Sequence, residues 1–172
     1  NKAMTLSLSG NHNFAVGQCA LYSNCGGCWN TAIGCKTLRD NTYGRDNNAI
    51  GYRALQSNTT GSYNNGIGSD ALYANTTGTR NVAIGGYGAL CSNTTGSDNS
   101  AMGDYALAAN ISGNYNQAIG YQALRCNTTG CHNTALGFYA LQSSLSGCHN
   151  FAGGCNALGS NWGGCYNNAL GY

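Results

Sequence analysis

The chain has 172 residues, only 7% of them charged, with a formal net charge of +2, 27 Gly, 10 Cys and no Pro. The seven Lys and Arg (Lys2, Lys36, Arg39, Arg45, Arg53, Arg80, Arg125) form no stripe, which speaks against nucleic acid as a partner. No apolar run approaches the roughly 18 residues of a membrane span, so no membrane span is expected either.

One short unit recurs along the chain: Gly-x-x-Asn-x-Ala-Ile-Gly-x-x-Ala-Leu-x-x-Asn-Thr-Thr. Copies open at Gly10, Gly27, Gly44, Gly61, Gly78, Gly96, Gly113, Gly130, Gly147 and Gly164. The step is 17 residues, except for one of 18 across Gly85-Gly86. So short a unit cannot bury its own apolar face and must stack on its neighbours. Helical repeats need longer units, and the Gly and Asn corners favour strands. The expected fold is all-β: a parallel β-solenoid, or β-roll, of ten coils forming a single repeat domain over 1–172. The segment 1–9 supplies the half-unit missing after Tyr172, so half-coils 1–9 and 164–172 complement each other in phase and close a second 18-residue coil. Neither end carries a visible capping unit. The chain opens on Asn1 and reads as a mature or excised segment.

Within a coil, positions are numbered from the opening Gly. Position 4 is always Asn (Asn13, Asn30, Asn47, Asn64, Asn81, Asn99, Asn116, Asn133, Asn150, Asn167), which predicts a ladder of amide hydrogen bonds. Position 12 is Leu (Leu21, Leu38, Leu55, Leu72, Leu90, Leu107, Leu124, Leu141, Leu158, with Met4 closing the series). Position 7 is mostly β-branched (Val16, Ile33, Ile50, Ile67, Ile84, Ile119). Positions 7 and 12 are the expected core, and positions 3–7 and 10–13 the expected strands. Glycine at positions 1 and 8 marks corners or close backbone approach.

Ten cysteines suggest an oxidising, extracellular setting. Taken along the chain, Cys19 and Cys35 fall at neighbouring positions of adjacent coils. Cys25-Gly-Gly-Cys28 is a lone C-x-x-C, weak as a zinc or redox motif because no second pair follows. Cys131, Cys148 and Cys165 share position 2 in successive coils, so Cys131–Cys148 or Cys148–Cys165 could form a staple between rungs. Asn58, Asn75, Asn93, Asn110 and Asn127 head N-x-S/T sequons at position 15 and are candidate glycan sites. Thr-Thr pairs at 59–60, 76–77, 94–95 and 128–129 raise ice binding, although other coils interrupt the row. Aromatics at positions 3 and 9 (Trp29, Tyr63, Tyr115, Tyr166; Tyr52, Tyr121, Phe138, Tyr172) either pack between coils or offer rings to sugars. Three His and five Asp form no triad, carboxylate pair or phosphate loop. No catalytic residue, metal site or cofactor is expected, and the chain does not read as an enzyme.

The segments Gly113-Asn-Tyr-Asn-Gln-Ala-Ile-Gly-Tyr-Gln-Ala-Leu124 and Gly130-Cys-His-Asn-Thr-Ala-Leu-Gly-Phe-Tyr-Ala-Leu141 resemble repeats of phage and viral tail-fibre proteins and bacterial surface proteins. They are similar, more distantly, to the Ala-Ile-Gly repeats of YadA-type trimeric adhesin heads. Those heads are left-handed parallel β-rolls, usually trimeric, that bind host surfaces; the resemblance implies a parallel β-solenoid here and is compatible with trimeric assembly. The sequence thus supports a structural subunit of an extracellular filament that polymerises head to tail, at a cell or virion surface, with copies of itself as partners. A trimeric fibre or adhesin head that binds glycans or cell surfaces is the alternative, and an ice-binding protein a minor one.

Overall fold

The computed structural model describes residues 10–172. Each coil contributes one short strand at positions 5–7: β1 Phe14–Val16, β2 Thr31–Ile33, β3 Asn48–Ile50, β4 Asn65–Ser69, β5 Val82–Tyr87, β6 Ser100–Met102, β7 Gln117–Ile119, β8 Thr134–Leu136, β9 Phe151–Gly153 and β10 Asn168–Leu170. They form one ten-stranded parallel sheet in strict sequence order. Equivalent residues pair throughout, as in Ala32 opposite Ala49 and Ile33 opposite Ile50. The fold is therefore the expected parallel β-solenoid, of about nine turns. The half-coil 1–9, with Met4, lies outside the described residues.

The strand expected at positions 10–13 is absent among the described residues. Those positions form a turn instead, because non-glycine residues there adopt the left-handed conformation. At position 12 every Leu does so, from Leu38 at φ 48° to Leu72 at φ 54°. Such residues carry a backbone cost. It is met here because the conformation turns both Ala at position 11 and Leu at position 12 into the interior, against the alternation of a strand.

The core differs from expectation at position 7. Strand residues alternate between faces, and Ala at position 6 points inward, buried in coils two to nine where Ala stands there. Position 7 must then face out. Ile50 and Ile67 are each 40% exposed, Ile84 39% and Ile119 44%; Ile33 is half-buried. The interior of a coil thus holds one Leu, two small residues and two Asn. Leu21, Leu38, Leu55, Leu72, Leu90, Leu107, Leu124 and Leu141 are fully buried, as expected.

The position-4 ladder is present. Asn47 Nδ2 donates to Asn30 Oδ1 at 3.1 Å and to the Gly61 carbonyl at 2.9 Å, while the Asn47 backbone N–H donates to the same Asn30 oxygen at 3.0 Å. A second ladder runs at position 15, where Asn58 Nδ2 donates to Asn41 Oδ1 at 2.8 Å and to the Gly61 carbonyl at 2.9 Å. That second ladder breaks once, at Ser144. Asn127 Oδ1 and Ser144 Oγ are both buried without a hydrogen-bond partner. Ser144→Asn restores the rung: its amide reaches Asn127 Oδ1 below and meets Asn161 above. We expect a stabilisation of about 1–2 kcal/mol, read as a rise in thermal midpoint. An unchanged or lower midpoint would show that the break is already relieved.

Candidate functional site

The longest continuous feature of the exterior is the outward strand face, made of positions 5, 7 and 9. Its central ridge runs Val16, Ile33, Ile50, Ile67, Ile84, Met102, Ile119, Leu136 and Leu170, interrupted only at Gly153. Tyr52, Tyr87, Tyr121 and Phe138 flank it as exposed rings. Across all ten coils these three positions carry a single charged residue, Asp104. Every other charged residue lies elsewhere in the coil. The ridge is therefore an uncharged, β-branched strip that no other part of the described chain covers.

A second exterior row, at position 3, is aromatic in part. Tyr115, His132, His149 and Tyr166 form one stack, with ring centroids 4.8, 4.8 and 4.9 Å apart and planes within 12° of parallel. Tyr121 and Phe138 at position 9 stack likewise, at 5.4 Å. The rings use their faces on each other and turn edges outward. This is coil-to-coil packing, and it occupies the faces of these rings; Tyr52 and Tyr63, also exposed, join neither stack.

The Thr pairs are not a free doublet. The first Thr of each pair donates its hydroxyl to the backbone of the next coil: Thr59 to Thr76 at 3.0 Å, Thr76 to Thr94 at 3.0 Å, Thr128 to Leu145 at 2.9 Å. Only the second Thr is exposed, in a row broken by Tyr43, Ser112, Ser146 and Gly163. An ice lattice would meet one interrupted row, not two.

The sequons are inside the coil. Asn58, Asn75, Asn93, Asn110 and Asn127 are each 0% exposed, and each amide nitrogen donates twice, to the carbonyl of the glycine three residues on and to the Asn of the previous rung. A glycan on that nitrogen is incompatible with the folded rod. The sequon pattern is a by-product of Asn followed by Thr pairs whose hydroxyls brace the next coil.

No disulfide joins any of the ten cysteines, so the expected staples are not formed. No pair among Cys19, Cys35, Cys25, Cys28, Cys131, Cys148 and Cys165 stands at bonding distance. The reason is geometric: an in-register column keeps equivalent sulfurs a full coil rise apart. At position 2 the Cys, Ser and Asn side chains of the second and later coils instead accept the backbone N–H of the preceding coil. Arg45 donates to Ser62 Oγ at 3.1 Å, Ser97 to Asn114 Oδ1 at 2.7 Å and Cys131 to Cys148 Sγ at 3.2 Å.

One cluster escaped the sequence reading. Beside the 18-residue coil, the Arg53 guanidinium lies 4.9 Å from the ring centres of both Tyr52 and Tyr73. It makes a two-point ion pair with the nearly buried Asp70, at 2.7 and 2.9 Å. Arg53, Asp70 and Tyr73, together with Tyr87, Gly88, Cys91 and Ser92, border an open hollow of about 340 Å³. The nearby Asp70 charge, and a hydrogen bond to it, push the Tyr87 hydroxyl above its ordinary range. Burial does the same to the Cys91 thiol. Both therefore stay protonated near neutral pH and neither is an activated nucleophile. The legible signal was the extra Gly85-Gly86 residue, which shifts the register between β4 and β5 next to Tyr87.

Among the described residues no three His, Cys, Asp or Glu converge as metal ligands, and no helix is long and apolar enough to cross a membrane. No family profile, curated protein or solved structure matches this chain.

Proposed function

We propose that this chain is a structural rod of a fibre, and that its copies pack side by side through the uncharged strip on the outer strand face. The observation that carries this reading is the β-branched ridge at position 7, regular over nearly the whole rod and flanked by positions with one charge in ten coils. Exposed apolar area of that continuity marks an interaction surface. Ten coils at about 4.8 Å, over a strip about 15 Å wide, give about 700 Å² per copy. That is close to the roughly 800 Å² per partner of a stable complex. The partner best suited is another copy, because only a surface with the same axial repeat can interdigitate with the ridge at every rung. The resemblance to trimeric heads makes three the expected number of chains.

End-to-end stacking into a filament is a second reading. It is favoured by the uniform coil-to-coil bonding, since the N–H···O=C bonds that join neighbouring coils would equally join coils of different molecules. An extracellular place for such a fibre belongs to the same proposal.

The test is a double substitution on the ridge, Ile84→Lys with Ile119→Lys. Both side chains lie outside the core, so the isolated rod should keep its circular dichroism. In sedimentation or light scattering the unsubstituted protein should have a multiple of the chain mass, and the double variant should fall to the single-chain mass. A single-chain mass for the unsubstituted protein at every concentration reached would sink the side-by-side reading. Electron microscopy of the same samples separates bundles from axial filaments.

A further inference from the structure

The hollow beside the 18-residue coil exists because coil five lacks a side chain that its neighbours carry. Position 10 is left-handed in each of coils one to nine, and in all of them but coil five a non-glycine residue stands there, from Gln122 at φ 54° to Tyr139 at φ 60°. Gly88, at φ 65°, is therefore not demanded by the backbone. Its missing side chain leaves space: a Cβ there would stand 3.3 Å from the Tyr105 ring and 3.8 Å from Cys91 Sγ. Position 13 adds to it, with Cys91 where coils three, four and seven hold Gln56, Tyr73 and Arg125. At about 340 Å³ the hollow falls at the small end of ligand sites, which run from about 300 to 1,000 Å³.

The wall toward coil four is fixed in advance. Arg53 lies over the Tyr73 ring, and its ion pair with Asp70 holds the guanidinium there. Asp70 is only 5% exposed and borders the hollow. Arg53 fills two of the roughly four acceptor sites of this carboxylate. Capacity remains for a donor besides the Tyr87 hydroxyl.

We propose that the hollow binds a small planar aromatic molecule with one N–H or O–H donor, of the indole or phenol class. The ring lies between Tyr73 and the Cys91 sulfur, and its donor meets Asp70. Tyrosine suits a flat partner, and a polarizable sulfur suits a ring edge. A sugar would instead press hydroxyls against Ala74, Gly88 and the Cys91 sulfur.

Fluorine NMR of 5-fluoroindole titrated with the full chain reads the binding, and 5-fluoro-1-methylindole supplies the same ring without a donor. The N–H compound should bind saturably and about tenfold more tightly than its methylated form. Cys91→Tyr should abolish binding by filling the hollow, while Cys91→Ala should keep it; Tyr22 and Tyr73 already occupy position 13, so the fold accepts the larger ring. Asp70→Asn, a residue that Asn156 already supplies at position 10, should erase most of the preference for the N–H compound. A preference unchanged in that variant would be steric and would overturn the pairing with Asp70. The unsubstituted chain gives a second readout that needs no variant to fold. Bound 5-fluoroindole should slow the reaction of Cys91 with N-ethylmaleimide, followed by peptide mass spectrometry, and leave exposed Cys155 unaffected. Absence of saturable binding, equal binding by a folded Cys91→Tyr chain, no protection of Cys91, or binding of methyl glucoside in place of the indole would each overturn the proposal. Asp70 and Cys91 lie outside the strip of positions 5, 7 and 9, so the result is independent of side-by-side assembly.

Discussion

Gly113→Ala should unfold the middle of the rod, while Gly163→Ala should leave it unchanged. A Cβ at Gly113 would overlap the carbonyl oxygen of Gly130 and the side-chain oxygen of Asn110. Neither obstacle can give way. The Gly130 carbonyl accepts the amide hydrogens of Asn116 at 2.7 Å and Asn127 at 3.0 Å. The Asn110 oxygen accepts from Asn127 at 2.9 Å. Moving any of them disturbs both ladders in two coils at once. The expected cost is at least about 3 kcal/mol. Gly163 sits at position 17, where an added Cβ meets only Ser146 Oγ at 3.7 Å and the six preceding coils carry Thr or Ser. A change there should stay within about 0.5 kcal/mol. Chemical denaturation of the two variants side by side decides the matter. Equal stabilities would mean that position-1 glycine reflects turn chemistry and not the close approach of backbones.

The contrast shows what a reader of the sequence could and could not extract. The period, the coil count and the position-4 ladder were legible because identical residues recur in phase, and stacking is the one arrangement in which such recurrence is useful. The side assignment of position 7 was also within reach. Once Asn at position 4 is placed inside, period-two alternation puts position 6 inside with it and positions 5 and 7 outside. The near-invariant Ala at position 6 says the same, since a residue held to one size is usually confined. Preferring the larger apolar residue for the core inverted this, although apolar residues are common on surfaces. Position 15 was misread for a different reason. An N-x-T triplet carries the same letters whether its amide faces solvent or a neighbouring amide, and only the coil path distinguishes the two. The left-handed Leu residues at position 12 had no signature at all, because Leu is a poor former of that conformation and tertiary packing alone imposes it. The Arg53–Asp70–Tyr73 cluster was hidden because its members lie in two adjacent coils, and position 10, which Arg53 and Asp70 share, holds no fixed residue type from coil to coil.

With one Leu and two small side chains per coil, apolar burial is thin, and the amide ladders should hold a large share of the stability. Asn81→Ala tests this directly. Asn81 is fully buried. Its Oδ1 accepts from the backbone N–H of Asn99 at 3.0 Å and from Asn99 Nδ2 at 3.2 Å. Its Nδ2 donates to Asn64 Oδ1 at 3.1 Å and to the Gly96 carbonyl at 2.8 Å. Three of the four neighbours keep another partner after truncation. Asn99 Nδ2 still reaches the Gly113 carbonyl, the Gly96 carbonyl still receives Asn93 Nδ2, and Asn64 Oδ1 still receives the residue-81 backbone N–H. The Asn99 backbone N–H is left buried and unpaired, beside a void the size of an amide. Together these cost about 3 kcal/mol. Asn48→Ala is the matched control: its amide also pairs with the next coil, to Asn65 at 3.0 Å, but on the exposed face, so the loss should be below about 0.5 kcal/mol. Because each coil touches only its neighbours, the damage should also be local. Hydrogen exchange should speed up by about two decades for amides of coils five and six, with coils one to three and eight to ten retaining their protection. A uniform acceleration along the rod would show instead that the ladders act as one cooperative unit. An Asn81→Ala loss no larger than that of Asn48→Ala would show that the leucine column alone holds the coils together.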